Sequence, residues 1–445
     1  MTMQGMTRWL KPAALGVLLW ASLAGPARAA DFYLKAAAMT KTMPNAGPAI
    51  TMWGYVLCDA TFTPLAGQVV QVPGPRLVVP PGDTTLNIHL LDGLPSAGSE
   101  TSNTSLVIPE LPATMVPTWT DGTTGPRTST TQRVRSFTQE VAPGGSVTYT
   151  WTSLRPGTFL YESGTHPSVQ VQMGLYGCVT IDAAAGPPAQ AYPGVSYDNE
   201  AVLVFSEVDP AIHAAVAAGT YGTAPYTSTI NYTPKYFFIN GAPYPDTLAA
   251  PIFTKPFVLG QHILLRFLNP GEETHVPVLQ DLYMTVVAQD GYPLPYPRTE
   301  YSLILEAGKT FDAIVTPTTS GLHGLFDRRL RLTNNMASNG GMLTYLTDNG
   351  AAGGCPGTVG STLKLSKSGG QILFTWGNIA LASSYIVYQS NVASLAPFTQ
   401  QDTLNPTAPA DGTTGATMPM PPDNLVFFLI AGDNLAGGGC VGPQR

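Results

Sequence analysis

GTFLYESGTHPSVQVQMGLYGCVTI, residues 157–181, is the stretch whose reading decides the fold. It opens after a Pro-Gly turn, runs through an apolar strand, crosses a short loop at Gly164–Pro167 and closes on a second strand, GLYGCVTI. Immediately upstream, PGGSVTYTWTSLRPGTFLYES (143–163) supplies two strands split by that turn. Further out, PGPRLVVPPGDTTLNIHLLDGL (73–94) alternates: Leu86, Ile88 and Leu90 fall on one face, Asn87 and His89 on the other, as in a half-buried strand. TKTMPNAGPAITMWGYVL (40–57) reads as the opening strand of the unit.

Composition agrees with a β-rich chain of many turns. The 445 residues suffice for about three domains. Charged residues make up only 11%, while Gly (46) and Pro (41) are abundant, which argues against a helical cytosolic enzyme. Net charge is −7 and no Lys/Arg cluster is present, so the electrostatic footprint of a nucleic-acid or anionic-membrane binder is missing. The N-terminus reads as a cleaved export signal (residues 1–29). Arg8 and Lys11 provide positive charge, Ala13 to Gly25 a short apolar core, and Ala27-Arg28-Ala29 an A-x-A site. The expectation is a periplasmic or extracellular protein with no membrane span in its mature part.

The 157–181 stretch resembles the end of the first cupredoxin (plastocyanin-like) domain of multicopper oxidases. There the segment reads Gly-Thr-Phe-x-Tyr-His-Ser-His, a loop, then Gln…Gly-Leu-Tyr-Gly and a closing strand. The two histidine positions hold Glu162 and Gly164 here, around Ser163. The resemblance implies a first cupredoxin-like unit over 30–182, a linker by composition over 183–195, and a second cupredoxin-like unit over 196–350. The second unit is carried by YFFINGAPYPD (236–246), residues 262–297, EYSLILEAGKTFDAIV (300–315) and GGMLTYL (340–346). VDPAIHAAVAAG (208–219) reads as an inserted short helix with Asp209 as N-cap. Residues 355–445 resemble a fibronectin type III module, with Trp376, Tyr385 and Tyr388 on adjacent strands of its core. The expected architecture is all-β: two cupredoxin-like Greek-key β-sandwiches followed by a smaller fibronectin type III-like β-sandwich.

Four cysteines in an exported chain favour disulfides, and three connectivities are possible. The preferred pairing is Cys58–Cys178 and Cys355–Cys440, because each would join the first and last strands of one domain.

The chemistry of the family is what the sequence withholds. Blue copper needs a thiolate and two imidazoles, and an oxygen-reducing cluster needs further imidazoles, in His-x-His pairs that put two ligands on one face of a strand. The six histidines here (His89, His166, His213, His262, His275 and His323) form no such pair, and no cysteine is flanked by histidine. The first family pair aligns on Val107 and Pro109, the second on Glu162 and Gly164. A residual mononuclear site would use Glu162, His166 and Met173, near Cys178. Met39, Met43 and Met52 could form a thioether trap, against the alternative of core contacts. His275 reads as a satisfied interior histidine. Asp327, Arg328 and Arg329 read as an interface ion pair or, alternatively, an anion clamp, and Asp281, Asp290, Glu300 and Asp312 offer no acid–base pair. The expectation is therefore no cofactor, with copper as the alternative. The role expected is that of a binding or structural scaffold for a protein or glycan of the cell envelope rather than an enzyme. The alternative is a copper oxidoreductase with an altered or partner-completed site. Oligomeric state is open.

Overall fold

The structure, a computed structural model, describes residues 28–95, 103–113, 115–248, 258–337 and 340–347, together with the backbone of six further strands between 364 and 433. The expected export signal, Cys355 and Cys440 lie outside the described residues.

The first sandwich pairs two sheets. One has the order β2-β1-β4-β7, from β1 (Ala29–Thr42), β2 (Ala49–Cys58), β4 (Thr85–Gly93) and β7 (Ser146–Thr152). The other has the order β3-β9-β8, from β3 (Leu77–Val79), β8 (Gly157–Glu162) and β9 (Tyr176–Ile181). A two-stranded ribbon, β5 (Thr118–Trp119) with β6 (Val134–Ser136), lies alongside. The alternation read at 85–93 holds: Leu86, Ile88 and Leu90 are fully buried, facing Phe159, Tyr161 and Val179 of the second sheet. The stretch 40–57 is not one opening strand. Its Pro44-Asn45-Ala46-Gly47 segment turns the chain, with Asn45 and Ala46 at positive φ, so β1 and β2 form a hairpin around it. The loop expected after Glu162 contains a short helix, α1 (Pro167–Met173), whose residues Val169 to Met173 are buried.

Residues 183–195, read as a linker, instead lead into a hairpin, β10 (Ala189–Tyr192) and β11 (Val195–Tyr197), that packs Ala191 and Tyr192 onto the second sandwich. There, β12 (Asn199–Val208), β13 (Tyr236–Ile239), β14 (Ile263–Asn269), β16 (Met284–Gln289), β17 (Tyr292–Glu300) and β18 (Lys309–Val315) form a sheet of order β13-β12-β14-β18-β16-β17. Its partner sheet is β15 (Pro277–Leu279), β19 (Leu322–Asp327) and β20 (Leu343–Thr347). The order β13-β12-β14-β18 repeats β2-β1-β4-β7, including the antiparallel, parallel, antiparallel sequence of pairings. These four strands of the two sandwiches thus share one topology, while the second sheet adds β16 and β17.

Helix α2 (Pro210–Ala217) forms as expected. Asp209 caps it, accepting from the Ala211 N–H at 2.9 Å, and Pro210 opens it. Its Ile212 and Val216 pack into the first core, tying the second sandwich to the first. Beyond residue 363, β21 (Lys364–Ser368), β22 (Gln371–Gly377) and β25 (Thr413–Pro419) form one three-stranded sheet. The other is made by β23 (Ser384–Ser390), β24 (Thr399–Leu404) and β26 (Phe427–Asp433). Trp376 lies on β22 and Tyr385 and Tyr388 on β23. These strands are consecutive in the chain but belong to different sheets.

Candidate functional site

Strand β8 organises the region where the family would bind metal. Its side chains alternate. Phe159 and Tyr161 enter the first core, while Thr158, Leu160 and Glu162 face the other way, where Leu160 packs against Val204 and Leu268 of the second sandwich. The segment carrying Val107 lies beside Glu162, joined by two backbone hydrogen bonds (Val107 N–H to Glu162 O, 2.8 Å; Glu162 N–H to Val107 O, 3.0 Å). The two stretches aligned with the family's histidine pairs are therefore neighbours.

What fills the space between them is hydroxyl, amide and methyl. Thr165 donates to Ser105 at 2.9 Å and sits 3.0 Å from Ser136, whose own hydroxyl donates to Thr138 O at 2.8 Å. Ser163 and Thr104 both donate to the Gln170 carbonyl, at 2.6 and 2.8 Å, and the Gln170 amide donates to Asn103 O at 2.7 Å. These buried groups satisfy one another. Gly164 has no room for any side chain: a Cβ there would stand 2.7 Å from Val107 Cγ1 and 3.0 Å from Ser105 Oγ. Pro109 is exposed. A copper centre does not fit this donor set.

Of the residues expected for a mononuclear site, Met173 is fully buried in the first core. His166 adopts a left-handed conformation (φ 39°) at the start of α1. Glu162 lies on the opposite face of β8 from that core, near Glu110. Burial raises the Glu162 carboxyl to about 7. Burial raises Glu110 to about 8, with the charges of Glu162 and Asp290 adding to it. Among the described residues no group of three or more His, Cys, Asp or Glu side chains is arranged to hold a metal ion.

The Cys58–Cys178 disulfide is not formed: both thiols are free and buried. Cys58 ends β2 in one sheet and donates weakly to Val56 O, whereas Cys178 sits in β9 of the other sheet among Leu160, Val171 and Val204. Burial pushes the Cys178 thiol up to about 12, far from a reactive thiolate. Met39, Met43 and Met52 do converge, packed with Val208, Tyr236 and Phe238 as core contacts between the sandwiches.

His275 is an interior histidine. It donates to Glu207 (3.0 Å) and Asp327 (3.3 Å), and all three side chains are fully buried. Burial works against its charge, but the two carboxylates outweigh that and carry it up to about 9. Asp327 thus pairs within the second sandwich, not across units. Arg329 reaches Glu273 (3.4 Å) and Thr274 O (2.7 Å), and Arg328 is exposed, so the three do not converge as an anion clamp.

The charge network that does join the two sandwiches was missed. Arg266, fully buried on β14, pairs with Glu200 at 2.7 Å and Asp182 at 2.6 Å and donates to Thr158 at 3.0 Å. Asp312, its cross-strand neighbour, accepts from Thr158 (2.7 Å) and Tyr192 (2.5 Å). Arg76 adds a pair to Glu200 at 2.7 Å. The signal was in the sequence: ILLRFLN, NEAVLV and TFDAIV each set one charge inside an apolar strand, which demands a buried partner.

No family model matches the chain. Copper resistance protein A of Escherichia coli is 26% identical over 219 residues, covering 40% of this chain and 34% of that protein. Laccase-2 of Botryotinia fuckeliana is 27% identical over 180 residues, covering 39% and 29%. The match thus spans about a third of the length of these curated relatives. The blue copper oxidase from Nitrosomonas europaea superposes with a TM-score of 0.51 at 17% identity, covering 72% of this chain and 86% of that one. The fold is cupredoxin-like, and the chain is multicopper-oxidase-like.

Proposed function

We propose that this multicopper-oxidase-like chain is a copper-free relative that serves, after export, as a rigid binding or structural scaffold for a protein or glycan of the cell envelope. One observation carries the reading. At the stretches aligned with the family's imidazole pairs, Gly164 faces Val107 with no space for a side chain, inside a self-satisfied hydroxyl network. The buried Arg266 network holds the two sandwiches as one body, which suits a scaffold. The two C-terminal three-stranded sheets support a fibronectin type III-like module that would space or recognise a partner.

The second reading, a copper-binding oxidoreductase with an altered or partner-completed site, is favoured by the copper-oxidase relatives. Metal analysis and a visible spectrum after copper loading separate the two. The scaffold reading expects substoichiometric copper and no blue band. Stoichiometric copper with a blue band would overturn it. Pull-down from the envelope fraction of the native host then identifies the partner.

A further inference from the structure

A cleft of about 390 Å³ opens between the sandwiches, away from the aligned metal positions. The first sandwich contributes Lys41, Gln71, Pro73 and Arg76, and the second contributes Val202 and Val204. That volume falls in the range of small-molecule sites. Its electrostatics run against the rest of the molecule: the chain carries a net charge of −7, yet the lining holds two cations and no carboxylate.

The cations have unspent donors. Lys41 Nζ gives one hydrogen bond, to Gly241 O at 2.8 Å, and stands 5.3 Å from the Phe238 ring centroid. No carboxylate lies within ion-pair distance of it among the described residues, so two of its three protons have no protein acceptor. Arg76 spends Nη1 on Glu200 (2.7 Å) and Nε on Thr180 (3.0 Å), leaving Nη2 without a hydrogen-bond partner among the described residues. The Gln71 side-chain amide likewise makes no hydrogen bond within the described protein. Burial lowers the Lys41 pKa against the weaker opposing pull of Asp246. Around these donors the walls are apolar: Pro73, Val202 and Val204.

We propose that this cleft binds a small organic anion, its carboxylate between Lys41 and Arg76 and its apolar body against Val202 and Val204. The site is independent of whether the protein binds copper. Charge-assisted hydrogen bonds fix the head, and the two valines exclude fully hydrated ions.

The test uses benzoate as probe, with benzyl alcohol as the neutral isostere and inorganic phosphate as an anion without an apolar body. Binding to the full-length protein is followed by calorimetry and by ligand-observed saturation transfer. Benzoate is expected to saturate with a Kd at or below about 1 mM, and each comparison compound to bind about tenfold more weakly or worse. Lys41→Met is expected to weaken benzoate by about tenfold. Val202→Phe, which fills the cleft without touching a charge, is expected to abolish binding, and circular dichroism confirms that each variant is folded. The assignment is overturned by absence of saturable benzoate binding, by equal binding of benzyl alcohol or phosphate, or by benzoate binding that a folded Val202→Phe protein retains.

Discussion

Gly164→Ala measures directly whether the position aligned with the family's second histidine pair is sterically closed. A Cβ at 164 would sit 2.7 Å from Val107 Cγ1, 3.0 Å from Ser105 Oγ and 3.6 Å from Thr138 Cγ2. Carbon atoms prefer roughly 3.5–4.0 Å, so the Val107 contact is short by about 1 Å. Val107 cannot retreat, because its backbone is tied to Glu162 in both directions and the residue is only 4% exposed. Overpacking of this kind costs ~1–3 kcal/mol. Against it stands the loss of glycine's freedom in the unfolded chain, which favours alanine by ~0.4–1 kcal/mol. The clash wins, leaving a net loss of roughly 1–2 kcal/mol. That corresponds to about 2–4 °C in melting temperature per kcal/mol for a unit of this size. The assay is urea and thermal unfolding of Gly164→Ala, Val107→Ala and the double variant. Val107→Ala vacates the volume that the added methyl group needs, so the double variant is expected to lose at least ~1 kcal/mol less than the sum of the singles. A neutral or stabilised Gly164→Ala, or strict additivity, would refute the claim that this position is sterically filled.

Four further outcomes are expected. Arg266→Met strands Glu200, Asp182 and Asp312 in the interior and is expected to cost on the order of 3–5 kcal/mol by urea unfolding. His275, protonated between Glu207 and Asp327, contributes stability that is complete below its unfolded pKa of about 6.5 and is lost as pH rises through about 9; an NMR titration should place its midpoint near the latter. Glu110 and Glu162 have carboxyls raised to about 8 and about 7, so the folded state holds more protons than the unfolded one above about pH 4.5. Stability should therefore fall as pH climbs toward 8, and Glu110→Gln should flatten that fall in urea midpoints read across the range. Trp376→Ala is expected to cost ~3–5 kcal/mol if that residue anchors a fibronectin-like core, and a calorimetric change far smaller would count against the module.

The strands that alternate were legible. Leu86, Ile88 and Leu90 announced β4 because one face of that strand is solvated, which writes period two into the residues. The 40–57 stretch carries its own punctuation, Pro44-Asn45-Ala46-Gly47-Pro48, and reading it as one strand passed over that turn, which Asn45 and Ala46 make at positive φ. The Cys58–Cys178 pairing failed for a different reason: Cys178 lies on the face of β9 that packs against Val204 and Leu268 of the second sandwich, while its neighbour Val179 enters the first core, so its thiol is turned away from the sheet that carries Cys58. The absence of His-x-His pairs was readable at Glu162 and Gly164. The hydroxyl network beside them was not, since Ser105, Ser136 and Thr165 come from three separate segments and carry no periodic signal.

Arg266 shows why the two halves act as one. Its guanidinium is fully buried, and its partners come from β12 (Glu200), the end of β9 (Asp182) and β8 (Thr158). A charge withdrawn from water costs several kcal/mol that its partners return only when all are in place. Separation of the sandwiches would remove Asp182 and Thr158 together and leave the arginine half-paired in an apolar sheet. Rigid-body opening is thereby penalised far more than the apolar contacts of Leu160 with Val204 and Leu268 alone would require. The same pairing fixes the cation cleft, because Glu200 accepts from Arg266 with one oxygen and from Arg76 with the other. Arg266→Met should then loosen benzoate binding as well as stability, without altering any residue that lines the cleft. Unchanged affinity in that variant, measured on folded protein, would show that Arg76 holds its place by other means and would break the link between the buried network and the cleft.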